Sequence, residues 1–347
     1  MQIKKVPNKE IGGGKYIVEK NKLLGTGSFG SVYRCFLKKD PTQVFAVKII
    51  DMKQFNQLNS QIRDKQIREL EKEILILQQV QSDYVAPLID LTRSTNNLYL
   101  ILKYCNQGDL SSYLQNQPNK RLSEQESLRF FIQIMEGYKA LLKLNIIHRD
   151  LKPANILLHN GNANIADFGF GKISVINPAC YQDITVKGTP YYRSPQLLIE
   201  PNSANENTYV VATNKCDIWS LGIMLFEMLN GKKPWIANTI TELLYNIRNQ
   251  GLTFLVDNIS EQSVQLLNSM LQIEEENRIS WEELYQHPFV KQLYYNFNIQ
   301  KQDLFIQNQQ QQQQNQIQIN TQDQNNQEDE NIYASQIINN KDENLQQ

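Results

Sequence analysis

The chain has 347 residues, of which 41% are hydrophobic and 20% are charged, and these values are typical of a globular protein with a polar segment attached. Its 35 Lys and Arg against 36 Asp and Glu give a formal net charge of −1, which argues against an electrostatic nucleic-acid binder. Four widely spaced cysteines and three histidines argue against a metal cluster and a disulfide framework, and favour reduced thiols.

Targeting signals are not evident in the sequence. The first residues lack the apolar stretch of a signal peptide. The apolar segment 218–229 is interrupted by Ser220 and Glu227 and is too short to cross a bilayer. We therefore expect no integral membrane segment and a cytoplasmic location, with the nucleus as the alternative.

The first half of the chain has the patterns of strands. After an N-terminal extension over residues 1–15, short alternating apolar runs over 16–50 are broken by Gly-rich and Asp-Pro turns, which predicts an antiparallel meander. A long helical pattern follows over about 57–80, and two further strands fit at 85–91 and 98–103.

Helices dominate the second half. Ser123 and Glu126 form a predicted capping box ahead of an apolar-periodic segment. The sequence therefore predicts an α+β fold in which a small β-rich lobe (16–103) precedes a larger helical lobe (109–290). The segment 103–108 forms the hinge between them.

Composition changes near residue 295, where Gln and Asn become dominant. Such a segment has too little apolar surface to offset the entropy of ordering, so we expect a disordered tail over 296–347. A spacer without a specific role and a self-associating or partner-docking tail are the two alternatives.

A glycine-rich stretch lies between two strand-like runs. Because it is followed by a strand and not by a helix, the pattern favours a hairpin lid over nucleotide phosphates, with an ordinary Gly-rich hairpin as the alternative. The residues of this stretch are Gly25, Thr26, Gly27, Ser28, Phe29, Gly30, Ser31 and Val32.

Lys48 lies inside an otherwise apolar strand, where an ammonium group is costly unless it is paired. Glu73 on the predicted long helix is the preferred partner, since the apolar residues Ile74 and Leu77 flank it, although Glu69 and Glu71 compete for this role. Such an ion pair directs the ammonium group towards the α- and β-phosphates.

The most specific string is His148-Arg149-Asp150-Leu151-Lys152-Pro153-Ala154-Asn155, and Asp167-Phe168-Gly169 follows it. Together with the glycine-rich stretch and Lys48, these motifs occur in the order of the eukaryotic protein kinases, which the chain resembles over about residues 16–290. The segments 98–114 and 165–172 resemble the ULK-type (autophagy-initiating) serine/threonine kinases. The resemblance implies the bilobal kinase fold.

The resemblance implies an ATP-dependent serine/threonine kinase that acts on protein substrates. It assigns Asp150 to the substrate hydroxyl and Lys152 to the charge of the transferred γ-phosphoryl group. It assigns Asn155 and Asp167 to Mg²⁺, with Mn²⁺ as a substitute.

The adenine pocket follows from the same resemblance. Backbone groups of the hinge contact the base, so Lys103, where many kinases have Glu, is expected to be tolerated. The residues implied around the base are Leu24, Val32, Ala46 and Leu157, with Leu102 as gatekeeper and Lys103 to Cys105 as the hinge.

The resemblance also implies a switch. Thr185 occupies the usual phosphorylation position, modified by an upstream kinase or in trans by a second copy, and Arg149 and Lys172 match the residues that clamp the phosphate. Gln196 replaces the usual Glu opposite Arg278, and we expect it to form a hydrogen bond without the charge.

Two alternatives from other classes remain. A pseudokinase keeps the fold as a scaffold but commonly loses one of three residues, and Lys48, Asp150 and Asp167 are all present. The other alternative is an assembly protein driven by its Gln/Asn tail. We expect no nucleic-acid partner.

Overall fold

The computed structural model describes residues 8–27, 30–167, 174–175, 190–198, 213–255 and 259–303, with short stretches between 306 and 314. The chain divides into two compact units, Met1–Lys291 and Gln292–Gln347.

The first unit begins with a six-stranded sheet in the order β1-β2-β3-β4-β6-β5, in which all neighbours are antiparallel. The predicted meander is therefore present. The strands are β1 (Lys9–Ile11), β2 (Tyr16–Gly27), β3 (Gly30–Leu37), β4 (Asp40–Asp51), β5 (Leu88–Arg93) and β6 (Asn97–Lys103).

Strand β1 belongs to the segment that the sequence placed in an extension ahead of the domain. Ile11 is 5% exposed and packs into a cluster on the outer face of the sheet with Tyr16, Val18 and Cys35. Lys9 Nζ donates to the hydroxyl of Tyr99 at 2.9 Å. Strand β1 is therefore part of the folded lobe.

Two helices lie between β4 and β5. Helix α1 covers Met52–Asn56, and α2 covers Ser60–Gln79, within the helix predicted over 57–80. The side chain of Asn59 accepts from Ile62 N, which satisfies one of the free N–H groups at the start of α2.

Six α-helices lie among the described residues between 110 and 286. They are α3 (Leu110–Gln115), α4 (Glu124–Lys143), α5 (Lys215–Asn230), α6 (Ile240–Asn249), α7 (Glu261–Met270) and α8 (Trp281–Gln286). Four short strands accompany them: β7 (Ile146–Ile147), β8 (Ile156–His159), β9 (Asn162–Ile165) and β10 (Ser174–Val175). Strand β8 pairs with β9, and β10 with β7.

The capping box predicted ahead of α4 is half formed. Ser123 Oγ accepts from Glu126 N at 3.2 Å, as predicted. The carboxylate of Glu126 is instead the acceptor of the Tyr113 hydroxyl, at 2.9 Å. A tertiary partner has therefore replaced the local one.

Helix α5 is the centre of the helical lobe. It is buried on every side over Cys216–Asn230, and the indole of Trp219 stacks on Trp235 with 5.6 Å between the ring centroids. A helix that is apolar all round is typical of a protein core.

The two lobes are joined behind the hinge as well as through it. Val85 forms a parallel bridge with Ile165 of β9. Ala86 N donates to Ile165 O at 2.9 Å, and Ile165 N donates to Tyr84 O at 2.8 Å. This junction sets the position of the sheet relative to the β8–β9 hairpin.

The second unit is helical over its described residues 292–303. The sequence predicted disorder from residue 296, so the two differ over 296–303. Gln and Lys are good helix formers even though they bury little surface, which accounts for the difference. The rest of the predicted tail, beyond residue 314, lies outside the described residues. Within the described ranges, no helix combines the length and the apolar character that a membrane span requires.

Gly231 ends α5, and its replacement by Ala is expected to destabilise the fold. Its φ is 78°, and a Cβ there would lie 2.3 Å from Asn119 O. We expect Gly231→Ala to lower the free energy of unfolding by about 2 kcal/mol, since left-handed strain adds to a clash with backbone. Urea denaturation measures the change.

The matched control is Gly251→Ala, because a Cβ at Gly251 meets nothing within 4 Å. We expect this change to be neutral or slightly stabilising. Equal denaturation midpoints for the two variants would contradict the role assigned to Gly231.

Candidate active site

The residues predicted around the nucleotide share one face of the sheet. Val32 pairs with Lys48, and Ala46 pairs with Leu102. Because directly paired residues and alternate residues along a strand point to the same side, all four side chains lie on one face. Ala46 is 8% exposed, which gives this face a buried centre.

The glycine-rich stretch forms the end of the β2–β3 hairpin. Gly27 pairs with Gly30, while Ser28 and Phe29 lie outside the described residues. A Cβ on Gly30 would lie 1.8 Å from Ile49 O, so only glycine allows β3 to approach β4 here. The remaining residues of the stretch, which lie in β2 and β3, are Gly25, Thr26 and Ser31, and Leu24 precedes them with 46% exposure.

A fully buried carboxylate holds the loop that carries Asp150. Asp217 accepts from His148 N and Arg149 N, each at 2.7 Å, and from the Tyr138 hydroxyl at 2.7 Å. Burial raises the pKa of Asp217, and the donors counteract that effect. Arg149 has a φ of 67°, a costly conformation that these hydrogen bonds stabilise.

Asp150 is oriented by its two predicted neighbours. Its Oδ2 accepts from Lys152 Nζ at 2.8 Å and from Asn155 Nδ2 at 2.9 Å. Asn155 Nδ2 also donates to Asp150 O at 2.7 Å. The structure therefore brings these three predicted residues together.

His148 connects Asp150 to the segment that ends in Asp167. Its Nδ1 accepts from Asp150 N at 3.3 Å, and its Nε2 lies 3.3 Å from Ala166 O. Burial lowers the pKa of His148. These contacts fit a neutral imidazole that is protonated at Nε2.

Lys48 and Asp167 meet across the cleft. The distance between Lys48 Nζ and Asp167 Oδ1 is 3.9 Å. The side chain of Glu73 lies outside the described residues, although its position falls within α2. The predicted pair of Lys48 and Glu73 therefore stays a prediction.

Asn155 and Asp167 have the chemistry of magnesium ligands. The amide nitrogen of Asn155 donates to Asp150, which leaves its carbonyl oxygen as the ligand atom. Asp167 is 55% exposed at its side chain. In the described part of the chain, no cluster of three or more His, Cys, Asp or Glu forms a metal cage. Two protein oxygens suit Mg²⁺, which retains waters and takes phosphate oxygens.

The hinge lies against the β8–β9 hairpin. Gln107 N donates to Leu158 O at 3.0 Å, and Leu158 N donates to Gly108 O at 2.8 Å. These bonds hold β8 against the hinge, and β8 contains Leu157, one of the residues that the resemblance implies around the base and which we call the floor of the pocket. Burial raises the pKa of Cys105.

The replacement of Glu by Gln at position 196 is accommodated. Arg278 is 1% exposed, and its Nη2 donates to Gln196 Oε1 at 3.0 Å, which confirms the predicted hydrogen bond. Arg278 also donates to the carbonyls of Gln272, Ile273 and Lys215. Burial lowers the pKa of Arg278 to about 10, so it is charged at neutral pH.

The proposed switch rests on the sequence, because Thr185 and Lys172 lie outside the described residues.

Two hydrogen bonds of the site were not predicted from the sequence. They join Tyr138 to Asp217 and Lys103 to Asn164, and these residues lie 79 and 61 positions apart. Side chains alternate between the two faces of a strand, so Lys103 lies on the face opposite Leu102. That pattern could have indicated that Lys103 has a partner outside the pocket.

The chain matches the family model described as "Protein kinase domain" over residues 18–290. This is the segment that contains every site residue described above.

Three relatives show the same similarity. The chain is 34% identical to the serine/threonine-protein kinase atg1 of Dictyostelium discoideum, over 80% of the chain and 39% of the relative. It is 33% identical to the serine/threonine-protein kinase ATG1c of Arabidopsis thaliana, over 80% and 36%. It is 32% identical to the human serine/threonine-protein kinase ULK1, over 80% and 25%. The match therefore covers less than half the length of each of these relatives.

Gln196 is expected to stabilise the fold through Arg278. Gln196→Leu leaves a buried guanidinium without its side-chain acceptor, and we expect a loss of about 2 kcal/mol in the free energy of unfolding. Gln196→Glu keeps the acceptor for Arg278 but loses the Nε2 donor to Ile273 O, so we expect a smaller loss than for Gln196→Leu. Chemical denaturation measures both variants.

Gln272→Leu is the matched control, because the exposed Gln272 side chain donates to Asn268 O, while Arg278 binds the backbone carbonyl of Gln272, which the substitution keeps. We expect less than about 0.5 kcal/mol for this surface change. A loss of the same size as in Gln196→Leu would contradict the anchoring role.

Proposed function

This chain belongs to the protein kinase domain family, and we propose that it is a serine/threonine kinase that transfers the γ-phosphoryl group of ATP to protein hydroxyls. The observation that carries the proposal is the cluster of Asp150, Lys152 and Asn155, which lies beside the pair of Lys48 and Asp167. Motifs and comparisons agree on the family, and the names of the relatives support serine and threonine as acceptors.

Asp150 positions the substrate in this proposal. Its carboxylate is held by Lys152 and Asn155, so it presents an oxygen in one direction to an incoming hydroxyl. Phosphoryl transfer depends on orientation and charge stabilisation more than on a strong base. The ammonium group of Lys152 stabilises negative charge on the transferred group.

The pocket face and the metal ligands bind the nucleotide. Ala46 and Leu102 contact the base, and Lys48 binds the phosphates from the same face of the sheet. Asn155 and Asp167 hold Mg²⁺, which neutralises phosphate charge when it is bound. Mn²⁺ has the same preference for oxygen ligands.

We propose protein substrates and regulation at Thr185. A phosphate there would be bound by Arg149 and Lys172 through charge-assisted hydrogen bonds, which orders the segment that contains it. The phosphate comes from an upstream kinase or from a second copy. The cytoplasmic location and the lack of a nucleic-acid partner stay predictions.

Phosphate transfer tests the proposal directly. The full chain should transfer phosphate from Mg-ATP to Ser and Thr of a generic protein substrate, and Asp167→Asn should lower the rate by about 100-fold or more. Mass spectrometry identifies the modified residues. Asp303→Asn, which changes an exposed carboxylate of the second unit, is the control and should be fully active.

The test separates the kinase from a scaffold. A wild-type chain that binds Mg-ATP and transfers no phosphate, even after treatment with an activating kinase, would favour the pseudokinase.

The switch has its own test. Thr185→Ala should reduce activity by about tenfold or more, because the segment loses the phosphate that orders it. Thr241→Ala, an exposed threonine of α6, is the matched control and should have no effect. Undiminished activity of Thr185→Ala, or no phosphate on Thr185 in the active protein, would contradict the proposal.

A further inference from the structure

One lysine side chain joins the hinge to the hairpin below the pocket. Lys103 is the last residue of β6, and its Nζ donates to Oδ1 of Asn164 in β9 at 2.9 Å. The kinase motifs give no role to Asn164, and the hinge contacts expected from the family use the backbone of Lys103 and not its side chain.

Asn164 is a fixed acceptor. It is 0% exposed, and its Nδ2 donates to Asn162 O at 3.1 Å and to Leu157 O at 3.4 Å. Asn164 also pairs directly with Leu157 in the β8–β9 hairpin, so the two side chains share a face. The ammonium group therefore binds the neighbour of the residue that forms the pocket floor.

Lys103 reaches Asn164 from behind the pocket. It pairs with Phe45, whose side chain lies on the face opposite Ala46, and Lys103 N donates to Pro87 O at 3.2 Å. Its side chain therefore does not contact the nucleotide. Any effect on the nucleotide passes through Asn164 and the hinge backbone.

The charge of Lys103 also affects the pKa of one residue on the hinge and of one residue on the β8–β9 hairpin. It opposes the rise that burial causes in the pKa of Cys105, on the hinge. It adds to the lowering that burial causes in the pKa of His159, at the end of β8. The ammonium group is thus close to the hinge and to the hairpin at once.

We propose that Lys103 is a positioning residue for the nucleotide. By binding Asn164 it fixes the separation between the backbone of residues 103–105 and Leu157, the two surfaces between which the adenine ring binds. A pocket that is already held at its bound width loses less entropy when it takes up the ligand. This inference rests on the proposed function, because it requires a nucleotide in the pocket.

The effect should appear in nucleotide binding and not in chemistry. Asp150, Asn155 and Asp167 make their contacts with Lys152, with each other and with Lys48, and none of these contacts involves Lys103, so phosphate transfer from bound ATP should be unchanged. In the full chain, Lys103→Met should raise the KM for ATP by about tenfold and leave kcat within about twofold. The Kd for a fluorescent ATP analogue should shift by the same factor.

Two variants test the physical basis. Lys103→Arg keeps a cationic donor and should recover the wild-type Kd to within about threefold. Lys39→Met removes an exposed lysine from the β3–β4 turn and should leave the Kd unchanged. A loss caused by general destabilisation would lower the apparent kcat through a smaller folded fraction, would leave the KM for ATP unchanged, and would not be recovered by Arg.

A double-mutant cycle tests the pair. Asn164→Leu should raise the Kd about as much as Lys103→Met, and the double variant should be no weaker than either, since the two act as one unit. The double variant removes the ammonium group together with its acceptor, so no charge is left unpaired and its Kd decides the question if a single variant fails to fold. Effects that multiply to about a hundredfold, or a wild-type Kd in Lys103→Met, would overturn the proposal.

The two proposals fail in different ways. If the wild-type chain binds the analogue but transfers no phosphate, even after treatment with an activating kinase, the proposed kinase activity is wrong and the Kd comparison still decides the role of Lys103. If the wild-type chain binds no nucleotide, both are wrong.

Discussion

The buried carboxylate of Asp217 is the constraint on which the catalytic loop depends. Removing a carboxylate from water is costly, and three donors from two other parts of the chain offset that cost. Because two of the donors are the backbone N–H groups of His148 and Arg149, the same carboxylate stabilises the left-handed conformation of Arg149. That conformation determines the direction of the backbone at Asp150, the next residue.

The rest of the site follows from this loop through short hydrogen bonds. Asp150 binds Asn155, and Asn155 O accepts from Ala166 N at 2.9 Å, one residue before Asp167. His148 joins the same hydrogen-bond network through its contact with Ala166 O. Asp150 and Asp167, to which the proposal assigns the hydroxyl and the metal, therefore belong to one network, and moving either one disturbs the other.

The sequence predicted the parts of the site whose residues lie close together in the chain or belong to a recognisable motif. The structure brings Asp150 and Lys152 together in one loop and places Lys48 in β4, and it puts Val32, Ala46 and Leu102, which the family resemblance implied, on one face of the sheet. Spacing alone marks no contact between distant residues, and the hydrogen bond between Gln196 and Arg278 was predicted only through the family resemblance. Strand β1 was not predicted, because three residues are too few to show a periodic pattern. The helix beyond residue 296 was not predicted, because a polar composition indicates little burial but does not measure helix propensity.

Strand β1 shows that the region shared with the family is smaller than the folded sheet. The similarity begins at residue 18, whereas Ile11 is already buried in the sheet and Lys9 contacts Tyr99. Truncation at the family boundary would therefore uncover part of an apolar face, which in a recombinant fragment favours aggregation. Expression designs that retain residues 8–17 keep this face covered.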